Sequence, residues 1–326
     1  MPPDHTERWL RSLRRLFTPR SLRHMLAYPR QFLRPASGDA SEREIWWRGK
    51  MVGRLLPVLP LRHSQDGDLF ILASGPSIQG LDLTPLRDYA TFAVNGSIAK
   101  LHDLGFSPQY YVVVDKDFVR TRFDYLRLAA GGSTRCFFPP HLIRHICDQD
   151  PSWPGGALLH LLDPVNARHG MPSVSARSLR NHLANEPDFL LHPDLATDVS
   201  LVGFSTNLEK GSFTSGTVVH PALQVAYYLG FKRVFILGMD LTVSPQQPRF
   251  YPEGDHPRPC RLSDVFTSHI VPCMELVREL GRRSSFAVYN VSPESRLPAD
   301  ILPTITYEEA LRMAKPARTP PTRTGG

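Results

Sequence analysis

The chain has 326 residues, 41% of them hydrophobic and 21% charged, with a formal net charge of +7. That composition is ordinary for a soluble globular protein and long enough for one large α/β domain or two small ones. No apolar run reaches the ~18–20 residues of a membrane-spanning helix, no apolar h-region marks a secretory signal, and Cys136, Cys147, Cys260 and Cys273 form no C-x-x-C pair, so a cytosolic chain with free thiols is expected rather than a zinc protein or a disulfide framework.

The charge is concentrated at the start. Residues 1–50 hold eleven Lys and Arg against five Asp and Glu, a balance of +6 (11 − 5) that is nearly the whole excess of the chain. Trp9, Leu10, Leu13, Leu16 and Phe17 recur at helical spacing with arginines between them. A helix with an aromatic-aliphatic face and an arginine face suits an anionic membrane surface, where each basic residue contributes about 1 kcal/mol. The alternative is an arm whose apolar stripe packs on the folded domain or on a partner subunit of a homo-oligomer. No recognised nucleic-acid motif accompanies the charge. Residues 35–44 (PASGDASERE) read as a linker, so residues 1–60 are expected to form a basic arm and linker ahead of a domain over 61–312.

Three short apolar runs follow, each about one strand long. Phe70–Ala73 ends in Ser74-Gly75-Pro76-Ser77, Thr91–Val94 in Asn95-Gly96-Ser97, and Tyr110–Val114 in Asp115-Lys116-Asp117. Continuous β-branched and aromatic runs are the pattern of parallel strands buried on both faces. Ligands of open α/β sheets bind at the carboxyl ends of such strands, and those ends here carry polar side chains. Gly75 allows a tight turn and close approach, Pro76 suits a helix start, and Ser77 offers a hydroxyl. The turn either holds an anion at a helix start or merely caps that helix. Neither G-x-G-x-x-G nor G-x-x-x-x-G-K-[ST] occurs, so neither a dinucleotide fold nor a P-loop is supported. Asp115-Lys116-Asp117 has the D-x-D form that binds a divalent metal in many glycosyltransferases. The same form is frequent by chance, and Lys116 would compete with the cation.

Residues 120–200 carry prolines, histidines and short amphipathic runs such as Val174–Leu183, and are expected to form a variable acceptor segment or lid. His141, His145, His160 and His169 show no metal-ligand spacing. Thr214-Ser215-Gly216 then precedes a helical pattern over Val218–Leu229 that stops at Gly230, with Pro221 in the first turn where proline is tolerated. A strand at Arg233–Leu237 ends in Gly238-Met239-Asp240. This second helix start, with hydroxyls and a glycine before it, adds a place for a carboxylate or phosphate. Residues 313–326 have the composition of a disordered tail.

The stretches ILASGPS, FAVNGS, YYVVVDKDF, TSGTVVHPALQVAYYLGFKRVFILGMDLT, RFY and VYNVSPES, taken in order over residues 68–312, resemble the lipopolysaccharide inner-core proteins that add a third residue of 3-deoxy-manno-octulosonic acid (Kdo). More distantly they resemble the bacterial sialyltransferases that use CMP-sialic acid. The resemblance implies a Rossmann-like, mostly parallel α/β sheet with helices on both faces. It also implies a cytoplasmic enzyme, peripheral on the inner membrane, that moves Kdo or a related 2-keto acid sugar from a CMP donor to lipid A-core or another lipid-linked saccharide. The match implies that Ser74, Gly75, Pro76 and Ser77 hold the nucleotide and that Asn95 contacts the donor. Asp115, an Asn in the sialyltransferases, would lie near the sugar. Thr214, Ser215 and Gly216 would receive the donor carboxylate, Asp240 would complete the donor site, and Tyr251 would support the leaving phosphate. The sialyltransferase base is a His on a mobile segment; His256 and His269 are the nearest here. The Kdo-adding relatives share an Asp that matches Asp264. Because the leaving group is a monophosphate, no cofactor and no pyrophosphate-clamping metal is required; Asp115 and Asp117 are where a divalent metal would bind if one does. Alternatives are a CMP-sialic acid sialyltransferase, a pterin-pyrophosphokinase-like enzyme, and a non-catalytic scaffold of lipopolysaccharide assembly.

Overall fold

The computed structural model describes residues 13–28, 32–36, 41–196, 201–214, 216–241 and 262–316. Among these residues the strands are, in chain order, β1 (Leu33–Pro35), β2 (Arg43–Trp47), β3 (Lys50–Leu56), β4 (Asp68–Leu72), β5 (Ala90–Val94), β6 (Tyr110–Val112), β7 (Arg135–Phe138), β8 (Leu158–Leu161), β9 (Phe189–Ala196), β10 (Leu201–Ser205), β11 (Arg233–Leu237) and β12 (Ala287–Asn290). Ten form one sheet in the order β1-β2-β3-β8-β7-β6-β5-β4-β11-β12, and β9 pairs with β10 apart from it. From β3 to β12 every neighbouring pair is parallel, while β1, β2 and β3 are antiparallel.

The chain steps outward from β4 through β8, then returns to lay β11 and β12 on the other side of β4. The strand order therefore reverses between β4 and β11, and a crevice opens above their carboxyl ends. Alternation along each strand supplies two cores. Leu69, Ile71, Val234 and Ile236 face the helices Val219–Leu229 and Val271–Arg283. Phe70, Leu72, Phe235 and Leu237 face the helices Ser97–Asp103, Pro140–Gln149 and Tyr307–Met313. On that second face Phe70 stacks on Phe235 at 5.0 Å, and Phe235 on Tyr289 at 5.5 Å, across three adjacent strands. Burying each such ring is worth roughly 1.5–3 kcal/mol. At the opposite, amino end, Arg233 donates to both carboxylate oxygens of Asp68 at 2.8 and 2.7 Å. This bidentate pair fixes the β4–β11 register and so aligns the two carboxyl ends.

Three sequence boundaries move. Residues 43–56 are strands of the main sheet rather than linker, because Ile45 and Trp47 alternate inward and Leu55 packs in the core. Residues 120–162 are not a lid, since they supply β7 and β8 of the parallel sheet. The inserted unit is smaller: the helix Ala176–Leu183, β9 and β10, which share a satellite cluster of Leu179, Leu183, Phe189 and Phe213. The chain stays packed beyond 313, with Ala314 buried and the Lys315 amide donating to Asp68 at 2.7 Å. Residues 317–326 lie outside the described residues.

Candidate functional site

The carboxyl ends of β4, β5, β6 and β11 and the start of the helix Val219–Leu229 surround an open cavity of about 360 Å³. Ser74, Gly75, Pro76, Asn95, Asp115, Thr214, Gly216 and Asp240 all line it. Ser77 stands behind this wall.

Of the two readings open for the turn after β4, an anion-holding helix start or a helix cap, the first is not what the structure shows. Pro76–Ile78 is a single 3-10 turn. The Ser77 amide donates to one Asp240 carboxylate oxygen at 2.8 Å and its hydroxyl to the other, while the Ser292 hydroxyl lies 3.1 Å from Ser77 Oγ. Ser77 therefore has its donors filled by protein. The Gly75 amide donates to Gly238 O at 2.8 Å, and a β carbon on Gly75 would fall 2.5 Å from both Gly238 O and Asp240 Oδ2. Glycine is needed here for close approach, since φ is an ordinary −70°. The loop after β12 completes the stitching: Ser295 Oγ donates to Met239 O at 2.7 Å and the Arg296 amide to Asp240 O at 2.8 Å. Asp240 is buried, and its carboxylate holds the two strand ends together.

Asn95 adopts φ 51°, with its amide donating to Val112 O at 3.2 Å and its carbonyl accepting from the Tyr111 hydroxyl at 2.9 Å. Ser97, two residues on, is fully buried; its hydroxyl accepts from the Val94 amide at 2.9 Å and donates to Leu72 O at 2.6 Å, tying the ends of β4 and β5. Ser74 Oγ and Asn95 Oδ1, both on the cavity wall, are buried and have no hydrogen-bond partner among the described residues. An unpartnered buried polar atom costs roughly 1–3 kcal/mol, and both of these lie in residues that line the cavity.

Asp115 Oδ1 accepts from the Asp117 amide at 2.8 Å, capping the helix Lys116–Thr121, and Asp117 pairs with Arg120 at 3.6 Å. The D-x-D carboxylates thus have local structural uses. Among the described residues no group of three His, Cys, Asp or Glu is gathered to hold a metal ion.

On the far wall, Ser215 lies outside the described residues, between Thr214 and Gly216. Gly216 has φ +73°, and a β carbon there would fall 2.7 Å from Val265 Cγ2. The segment leading to this turn is clamped by Gln224, which is fully buried: its Oε1 accepts from the Phe213 and Ser205 amides at 2.9 and 3.0 Å, and its Nε2 donates to Phe213 O at 2.8 Å. Sequence reasoning passed over Gln224; the signal was a lone amide inside an apolar helix. His220, one turn earlier, is buried with its pKa pushed down to about 3, so it stays neutral.

The segment with two of the base candidates lies beside this turn. The short helix Leu262–Val265 runs into a π turn, Phe266–Ile270, and then the helix Val271–Arg283. Pro272 lacks the amide that would continue an α-helical ladder, which explains the bulge before it. Val265 and Ile270 both pack toward Gly216. Asp264 is exposed, and His269 Nδ1 lies 2.8 Å from Ser268 Oγ; neither lines the cavity. Tyr251 and His256 lie outside the described residues.

A family model described as "3-deoxy-D-manno-octulosonic acid transferase WaaZ" matches residues 58–308. The chain belongs to this family of Kdo transferases. It is thus a glycosyltransferase of lipopolysaccharide biosynthesis. The WaaZ-family chain is similar to the probable 3-deoxy-manno-octulosonic acid transferase of Escherichia coli strain K12, at 27% identity over 74% of this chain and 83% of that protein. It is also similar to the protein of the same description from Salmonella typhimurium strain LT2, at 28% identity over 78% of this chain and 92% of that protein. Among solved structures it is similar to the MAf glycosyltransferase from Magnetospirillum magneticum AMB-1, with a TM-score of 0.42, 15% identity, and coverage of 78% of this chain and 36% of that one. The sialyltransferase CstII from Campylobacter jejuni, solved with the substrate analogue cytidine-5'-monophosphate, gives a TM-score of 0.38 and 13% identity over 79% of this chain and 90% of that one.

Proposed function

We propose that this Kdo transferase-family chain takes its sugar from a CMP donor, Kdo or a related 2-keto acid, and passes it to lipid A-core or another lipid-linked saccharide at the cytoplasmic face of the inner membrane. The observation that carries the reading is the pair of unpartnered polar atoms, Ser74 Oγ and Asn95 Oδ1, in a cavity at the point where the strand order reverses. A CMP-sugar of this kind presents one phosphodiester and one carboxylate. The Ser74 and Asn95 wall would take the nucleotide. At the start of the helix Val219–Leu229 the Val219 and His220 amides donate to Thr217 Oγ1 and O, each at 3.3 Å, and Pro221 has none, so what would face the carboxylate is the positive dipole end of the helix, reached through Gly216, Thr217 and Val218 on the cavity wall. Charge developing on the leaving phosphate would be stabilised by this fixed dipole and by the Ser74 hydroxyl on the wall, and a carboxylate base would remove the acceptor proton. CMP is expected to raise the melting temperature more than UMP, AMP or NAD. Equal shifts for all four, or a larger one for ATP, would sink the CMP reading.

The arm supports membrane association in a narrower form than its sequence suggests. Residues 20–27 form a 3-10 helix that packs on the domain: Ser173 N donates to Ser21 O at 2.6 Å, and Gly170 N lies 3.2 Å from Met25 Sδ. Phe32 is fully buried. Ahead of this anchor Leu16 and Phe17 are 75% and 87% exposed, with Arg14 and Arg15 beside them. Among the described residues no helix is long and apolar enough to cross a membrane. The tip is proposed to rest on anionic lipid. Leu16→Ser with Phe17→Ser is expected to release the protein from phosphatidylglycerol vesicles and leave its CMP-induced stabilisation unchanged. Undiminished vesicle binding would refute the tip as the contact. Deleting residues 1–45 would be a poor test, because it removes Phe32, β1 and part of β2 from the core.

A further inference from the structure

Next to the donor cavity lies a second, open recess of about 480 Å³. The two share Val114 and Asp115 as a common wall. The remaining lining of the recess is Ala27, Lys116, His141, Arg144 and His145, so four of its side chains are basic in type. We propose that this recess seats an oxyanion of the acceptor saccharide, a sugar carboxylate or a sugar phosphate, on Lys116 and Arg144. The acceptor hydroxyl is thereby presented to the donor across the Asp115 edge. The proposal rests on the first cavity being the donor site.

Three observations carry it. The first is position. A transferase must bring two substrates to one reacting carbon, and this recess adjoins the donor cavity through the loop that follows β6. The second is charge. Lys116 makes no ion pair among the described residues. Arg144 reaches Asp148 at 3.4 Å, with part of both side chains exposed, so a surface pair of small worth is available for exchange. The one acid on the lining, Asp115, directs Oδ1 to the Asp117 amide. His141 Nε2 lies 2.9 Å from Val114 O, and burial holds the pKa values of His141 and His145 below the ordinary histidine value. Burial thus disfavours the charged form of both imidazoles, and an entering anion favours their protonation. A donor with one phosphodiester and one carboxylate, both seated in the first cavity, leaves these cations without a task. The third is approach. Ala27 ends the same arm helix whose preceding segment exposes Leu16 and Phe17, so the recess borders the element proposed to meet the bilayer, the side from which a lipid-linked acceptor arrives.

The test separates acceptor from donor. In Lys116→Ala and Arg144→Ala, the acceptor KM is expected to rise at least tenfold, with kcat changed little and CMP affinity by calorimetry unchanged. An unchanged acceptor KM in both variants overturns the proposal. Enzymatically dephosphorylated acceptor and carboxyl-reduced acceptor distinguish the two oxyanions: the one that no longer responds to the substitutions has lost the group the recess binds. If both still respond fully, the side chains act without recognising charge and the proposal fails. A readout independent of turnover is the imidazole NMR signals of His141 and His145 in the CMP-loaded protein. Inorganic phosphate is expected to shift them in the wild type and not in the double variant; no shift in the wild type counts against the recess. Phosphate-dependent shifts in a protein that fails to bind CMP would refute the donor reading and leave the anion site standing.

Discussion

Asp264→Asn is expected to lower turnover by about a hundredfold or more while leaving CMP affinity and melting temperature close to wild type. The side chain is exposed on the short helix Leu262–Val265, so an isosteric amide costs the fold little. What changes is the ability to accept a proton. Its neighbour Val265 packs against Gly216, at the turn proposed to receive the donor carboxylate, which brings Asp264 to the border of the cavity without making it part of the wall. Catalytic contacts are often long in a ligand-free enzyme and tighten in the complex. The π turn Phe266–Ile270 gives this border a bulge of the kind that recurs at functional sites. The informative comparison is with His269→Ala and Asp115→Asn. Normal turnover in Asp264→Asn together with an inactive His269→Ala would move the proton to an imidazole, whereas an inactive Asp115→Asn would move it to the carboxylate shared by both cavities.

The parallel sheet was legible because strands buried on both faces must be continuously apolar. β11 is found at Arg233–Leu237 as read, and β4, β5 and β6 lie within two residues of their expected ends. Gly230 ends its helix in the left-handed conformation, φ 100°, that a C-cap glycine supplies. The edge of the sheet was less legible. β2 and β3 alternate, with Glu44 and Arg54 paired on the face opposite Ile45 and Leu55 and with Arg43 beside them in sequence, so a stretch rich in charge reads as linker. At the site, sequence order shows which polar residues end strands but not which of them hold one another. Ser77 and Asp240 are 163 positions apart, and only the reversal of strand order between β4 and β11 makes them partners. The basic recess was invisible for the same reason, since Ala27, Lys116 and His141 come from three separate segments.

Gly75→Ala is expected to cost CMP at least tenfold in affinity and to destabilise the protein by about 1–3 kcal/mol, the usual range for a group forced into a filled space. The backbone conformation at Gly75 is one that alanine adopts freely, so the effect comes from space alone. A methyl group would meet Gly238 O and Asp240 Oδ2, each 2.5 Å away, and neither can yield independently. Gly238 O accepts from the Gly75 amide, and Asp240 accepts from Ser77 while its own carbonyl is held by Arg296. Pushing the turn outward would separate the ends of β4 and β11 and carry Ser74, one of the two unpartnered wall residues, away from Asn95. Gly67→Ala is the matched control, because a β carbon there meets nothing within 4 Å. It is expected to leave both CMP affinity and melting temperature unchanged. If Gly75→Ala binds CMP as tightly as the control, the nucleotide is not held by this turn, and the donor site must lie elsewhere along the sheet.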